Sequence, residues 1–127
     1  MSPLLQAGDL VMLTSACHPL RKGDILAYWT GHGVVVHRLL RHLPGGMLLL
    51  AGDNRPIADP PLTHQVILGR VIAVQTSSGQ YSLDGRRARW IADLLVCCYP
   101  IRKYRLIQRL IRMIVSLTAQ TLRFWPR

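Results

Sequence analysis

Glutamate is absent from this chain. All six acidic side chains are aspartates (Asp9, Asp24, Asp53, Asp59, Asp84 and Asp93), set against sixteen lysines and arginines for a formal charge of +10. The excess is uneven: residues 1–80 carry six basic and four acidic side chains, a net of +2, whereas residues 81–127 carry ten and two, a net of +8. Long apolar runs are missing as well. No uninterrupted stretch approaches the ~18 residues that span a bilayer, and Met1–Asp9 has neither the basic segment nor the apolar run of a signal peptide. Any meeting with a membrane is therefore expected from its surface, or through a segment outside this sequence. Cysteine is scarce: Cys17, Cys97 and Cys98 form an odd set without Cys-x-x-Cys spacing. Adjacent Cys97 and Cys98 could bridge only through a strained ring and Cys17 has no evident partner, so free thiols in a reducing compartment are expected in place of a disulfide framework. His18, His32, His42 and His64 are scattered without ligand spacing, which argues against a zinc site, and no cofactor is expected.

What is present is enough for a core. Half of the 127 residues are hydrophobic, which fits one modest folded unit and not a disordered chain. From Leu10 to Val74, short β-branched runs alternate with Gly, Pro and Asp breakers. The spacing predicts strands at Leu10–Thr14, Ile25–Thr30, Val34–Leu40, Met47–Ala51 and Ile67–Val74, with a further one at Tyr81–Gly85. Tyr28 and Trp29 are expected to pack against the sheet, and Met12 and Met47 to fill its core.

Beyond Arg86 the period becomes helical, first over Arg87–Cys98 and then, after Pro100, over Ile101–Leu122. Arg102, Arg105, Arg109 and Arg112 recur at steps of three and four on one face of the second helix. Leu106, Ile107, Leu110, Ile111, Ile114 and Leu117 fill the other, and Phe124 and Trp125 close it beside Arg123 and Arg127. Such a stripe suits either contact with an anionic membrane surface or packing on the β core with the arginines in water. The chain thus divides into a β-rich domain at 1–85 and a basic amphipathic helical tail at 86–127.

Four segments carry the chemistry. Pro3-Leu4-Leu5-Gln6-Ala7-Gly8-Asp9 leads into the first strand, and a second Gly-Asp pair, Gly23-Asp24, leads into the next. In Val34-Val35-Val36-His37-Arg38-Leu39 a strand places His37 on the face of Val35 and Leu39 and turns Arg38 away. Gly52-Asp53-Asn54-Arg55-Pro56-Ile57-Ala58-Asp59 is a turn whose two aspartates suit backbone capping. Either could instead accept the Nδ1 proton of a histidine and stabilise the imidazolium.

Taken in order, these segments resemble the signal peptidase I family, within the wider group that contains the self-cleaving repressor-type peptidases. The family pattern is Ser-Met-x-Pro, a Gly-Asp turn, a second Gly-Asp, a Val-x-Arg strand, a Gly-Asp-Asn segment and a closing Gly-Arg strand, here Gly69-Arg70. The resemblance covers about residues 1–74. It implies a mainly β fold of coiled antiparallel β-sheets of the signal-peptidase and repressor-peptidase type, followed by C-terminal α-helices. Bacterial members usually place a lysine before the strand arginine. His37 stands there in this chain, which is similar to the endoplasmic-reticulum and archaeal branch with its Ser-His-Asp arrangement. The relay aspartate of that branch carries over to Asp59, with Asp53 as a supporting carboxylate.

The departure is at the first residue. With Met1 and Pro3 as the motif methionine and proline, the nucleophilic serine belongs one position before Met1, and the backbone donors expected around it are missing too. The chain as given is expected to be inert. Three explanations stand open: a start placed at the motif methionine of a longer protease, a non-catalytic relative that binds peptides, or Ser2 as a substitute. Ser2 sits one residue before the proline instead of three, on the alternate face of the strand. The activity implied is serine endopeptidase cleavage of signal or leader peptides at the cytoplasmic membrane, the substrate adding as an extended strand. A repressor-type relative binding nucleic acid through the tail is the other class. No helix-turn-helix precedes the β core, and the wide apolar face of the tail suits a bilayer better than a groove.

Overall fold

The computed structural model describes residues 8–15, 19–53, 55–77 and 79–101, together with 109, 110, 113, 114 and 117. Ser2, Pro3, Cys17, His18, Asn54, Arg102, Arg105, Arg112, Phe124 and Trp125 lie outside the described residues. Among the described residues, six strands and the helix after them follow in chain order: β1 (Leu10–Thr14), β2 (Ile25–Trp29), β3 (Val34–Leu43), β4 (Met47–Ala51), β5 (Ile67–Thr76), β6 (Gly79–Ser82) and α1 (Arg86–Cys97). Every pairing is antiparallel, in the order β1-β5-β2-β3-β4, with β6 also on β5. The fold is therefore mainly antiparallel β-sheet followed by a helix, as the sequence predicts.

The strand starts agree with the pattern of breakers, and the differences lie at the ends. β3 runs on to Leu43 because Arg41, His42 and Leu43 pair with Leu49, Leu48 and Met47 across the Pro44–Gly46 turn. Gly45 and Gly46 both take φ of 73° there, a left-handed conformation that disfavours side chains with a Cβ. At the other end of the domain, the strand predicted at Tyr81–Gly85 begins earlier, at Gly79, as the return of a hairpin with β5.

Alternation along the strands divides the apolar residues between two faces. One cluster joins Leu20, Leu26, Tyr28, Leu39, Leu48 and Leu50, with Val35, Leu62 and Ile67 against it. The other joins Ile25, Val71, Val74 and Tyr81, with Val11, Val36 and Leu83. Leu26, Leu39, Leu48 and Leu50 are fully buried, each contributing roughly 1.5–3 kcal/mol of burial free energy. α1 buries Ala88, Ile91, Ala92 and Leu95, one face of a helix at steps of three and four. It seats on the turn before β2, where a Cβ on Gly23 would lie 3.0 Å from the Ala92 Cβ.

Two expectations for the core fail. Met12 and Trp29 are about half exposed. Among the described residues β1 is an edge strand paired only with β5, and it leaves Leu10, Met12 and Leu13 open. The Met12 sulfur accepts from Gln80 Nε2 at 3.1 Å. Trp29 ends its strand opposite Val34, itself exposed, past the last residues that cover the sheet.

Candidate active site

The β2–β3 hairpin sets the first part of the site. Thr30 N–H and Oγ1 both donate to Gly33 O, at 3.0 and 2.9 Å, and close the turn. From there the register places Trp29 opposite Val34, Tyr28 opposite Val35 and Leu26 opposite His37. Tyr28 and His37 are thus diagonal neighbours on one face, within reach of long side chains. Their rings meet edge-on with centroids 6.0 Å apart, and Tyr28 Oη lies 3.2 Å from His37 Nδ1.

The segment after β4 supplies the carboxylate. Arg55 N–H donates to Gly52 O at 2.9 Å to tighten the turn, and the chain then returns beside β4. Asp59 N–H donates to Leu50 O at 2.8 Å, and Leu48 and Leu62 exchange a pair of backbone bonds at 2.8 and 2.9 Å. This return brings Asp59 Oδ2 against His37 Nδ1, while the same oxygen accepts from Tyr28 Oη at 2.8 Å. The His37 and Asp59 side chains are only 12% and 13% exposed, so the pair is largely shielded from water. Burial pushes the Tyr28 phenol above its ordinary value of 10.0, and the hydrogen bond and charge of Asp59 push it further, against a smaller lowering by Arg55.

A carboxylate against Nδ1 places the proton of the neutral imidazole on that nitrogen and leaves the Nε2 lone pair for chemistry. Gly52 packs closely on that atom, since a Cβ there would lie 3.0 Å from Nε2. The need for glycine here is spatial. A base held this way takes a proton from a hydroxyl brought within ~3 Å and hands it on to a leaving group.

Arg38, the next residue of β3, projects to the opposite face and makes a second buried cluster. Its Nε and Nη2 donate to Asp53 Oδ1 and Oδ2, both at 2.8 Å, and its Nη1 donates to Gly23 O at 2.7 Å. The two side chains are 4% and 6% exposed. Asp24 extends this brace: it accepts Arg21 N–H at 2.7 Å and Arg89 Nη1 at 2.6 Å, which fastens α1 to the same turn. Gly23 itself holds φ of +89°.

Of the three site residues expected from sequence, His37 and Asp59 come together and Asp53 does not join them. Its carboxylate is held by Arg38, because consecutive strand residues face opposite ways and the turn puts Asp53 on the arginine's side. Sequence reasoning also missed Tyr28 as a polar member of the site and Arg38 as a buried brace. The hairpin register carried a signal for the first, and the Gly-Asp turns at both ends of the guanidinium carried one for the second.

In the tail, Arg109 is exposed, and Leu110, Met113 and Leu117 are helical and more than half exposed. Among the described residues no helix is long and apolar enough to cross a membrane. Compared with protein-family models, curated proteins and solved structures, the chain gives no match.

Proposed function

We propose that this chain carries the base and relay of a serine endopeptidase of signal peptidase type. The observation that carries the reading is the buried His37–Asp59 pair, with Nδ1 engaged and Nε2 beside Gly52. In this reading a serine supplied at the position the family pattern gives it, one ahead of Met1, would attack the peptide carbonyl. His37 Nε2 removes its proton and returns it to the leaving amine, Asp59 holds the imidazole in the required tautomer, and water then releases the acyl group by the same route. Asp53 acts at a distance, by holding Arg38 and so the strand that bears His37.

The substrate is a peptide in extended form, offering small side chains on one face. Among the described residues one edge of β1 is without a partner strand, and this edge, with Leu10, Met12 and Leu13 exposed, supports strand addition as the mode of binding. The proposed place of action is the cytoplasmic membrane surface. There the tail stripe that includes Arg109 meets anionic headgroups and the exposed Leu110, Met113 and Leu117 meet the acyl boundary. Binding of the chain to anionic vesicles, weakening as salt rises, is the expected result.

The test of activity is direct. A form extended by Gly-x-Ser before Met1 is expected to cleave peptides with an Ala-x-Ala site, and His37→Ala in that form to lower kcat by about 10⁴-fold or more. A folded, extended protein that cleaves no such peptide would overturn the protease reading in favour of a peptide-binding scaffold.

A further inference from the structure

The resemblance accounts for a histidine and an aspartate, yet the site contains a third polar group that it does not mention. We infer that Tyr28 is a positioning residue for the His37–Asp59 pair: its hydroxyl holds the Asp59 carboxylate at the imidazole and keeps the His37 proton on Nδ1. The catalytic consequence rests on the peptidase reading, whereas the positioning itself does not.

Tyr28 is 4% exposed, and its ring is fixed in the cluster of Leu26, Leu39, Leu48 and Leu50, so the hydroxyl has little freedom to move. It donates to Asp59 Oδ2 at 2.8 Å, the same oxygen that lies against Nδ1. Asp59 Oδ1 has no partner among the described residues. One oxygen thus takes both protons, and the phenol pins that oxygen in place. The Asp59 backbone is tied to β4 by its N–H bond to Leu50 O, and without the phenol nothing described here fixes the side chain beyond that point except the imidazole itself.

The phenol also bears on the tautomer. With its proton committed to Asp59, Tyr28 Oη turns lone pairs towards Nδ1 at 3.2 Å. A bare Nδ1 would face two electron-rich oxygens, Oη and Oδ2, while a protonated Nδ1 faces two acceptors. Both neighbours therefore favour the same tautomer, the one that leaves Nε2 free to act as a base. Burial and the adjacent carboxylate keep the phenol protonated, so the arrangement persists across the neutral range. A phenylalanine at this position keeps the ring and its packing and removes only the hydroxyl.

The test uses the uniformly ¹⁵N-labelled full chain, observed by NMR at a pH where the imidazole is neutral. The wild type is expected to show His37 as the Nδ1–H tautomer, with that proton sheltered from exchange. Tyr28→Phe is expected to speed its exchange about 10-fold and to admit the Nε2–H tautomer. A folded Tyr28→Phe protein with unchanged tautomer and exchange would overturn the inference, as would an Nε2–H tautomer in the wild type. A second measurement needs no tyrosine variant: the Tyr28 phenol should return towards its ordinary titration in Asp59→Asn, and no movement would count against the bond. In the serine-extended form, Tyr28→Phe is expected to lower kcat about 10-fold with KM kept. If the extended form is inactive but the NMR results hold, the peptidase reading fails and the positioning role stands. If it is active and indifferent to Tyr28→Phe, the peptidase reading stands and the catalytic consequence of the positioning is overturned.

Discussion

Removing the guanidinium of Arg38 should weaken the fold far more than an ordinary arginine substitution. Arg38→Ala takes both 2.8 Å bonds from the Asp53 carboxylate and the 2.7 Å bond from the Gly23 carbonyl. The Asp53 side chain is 6% exposed, so water does not replace those bonds without disturbing the turn. Breaking a buried pair from one side costs roughly 3–5 kcal/mol, because the remaining charge loses its ionic partner. A domain of this length holds on the order of 10 kcal/mol in all. Urea unfolding followed by circular dichroism would read the change. With a slope of about 1.5 kcal/mol per molar urea, the midpoint should fall by roughly 2–3 M. Burial shields the pair from salt, so the loss should be similar at low and high ionic strength. Arg38→Met combined with Asp53→Leu replaces the pair by apolar volume and should recover much of the deficit. A loss under about 1 kcal/mol for Arg38→Ala, or a double variant less stable than the single one, would refute the reasoning.

Two further outcomes follow from named contacts. Gly52→Ala puts a Cβ 3.0 Å from His37 Nε2 and should abolish most cleavage by the serine-extended form while the far-ultraviolet spectrum stays native; unimpaired kcat would show that Nε2 is not the reacting nitrogen. Because the folded state raises the Tyr28 pKa above the ordinary 10.0, it holds that proton more tightly than the unfolded chain. The associated stability is fully present below pH 10 and is lost as pH rises beyond it, at up to about 1.4 kcal/mol per pH unit for one proton. Urea midpoints between pH 9 and 11 should therefore fall faster for wild type than for Tyr28→Phe, and parallel curves would contradict the burial argument.

The parts of the fold legible in the sequence are those that depend on neighbours along the chain. Breakers such as Gly23-Asp24 and Gly52-Asp53 mark where strands begin or end, and alternation alone places His37 and Arg38 on opposite faces. What alternation does not carry is the partner across the sheet. Alternation turns Arg38 away from His37 without showing what covers its face, which is α1 and two turns 15 residues away on either side. From the residues alone either Asp53 or Asp59 suits the imidazole, for the same reason: which one faces it depends on how the segment folds back on Leu48 and Leu50. Trp29 and Met12 show the opposite error, since a strand position looks buried until the end of the sheet is located. Tyr28 was closest to recovery, because the short Thr30–Gly33 turn fixes its register with His37.

The return of the segment from Gly52 to Leu62 has a kinetic side. His37 stands on an interior strand, whereas Asp59 reaches it on a loop fastened by three backbone bonds to Leu48 and Leu50. Segments of that kind open more readily than the strands they lie on. The sheet is therefore expected to hold together while Asp59 leaves His37, so that the His37–Asp59 pair is less stable than the strand that bears the histidine.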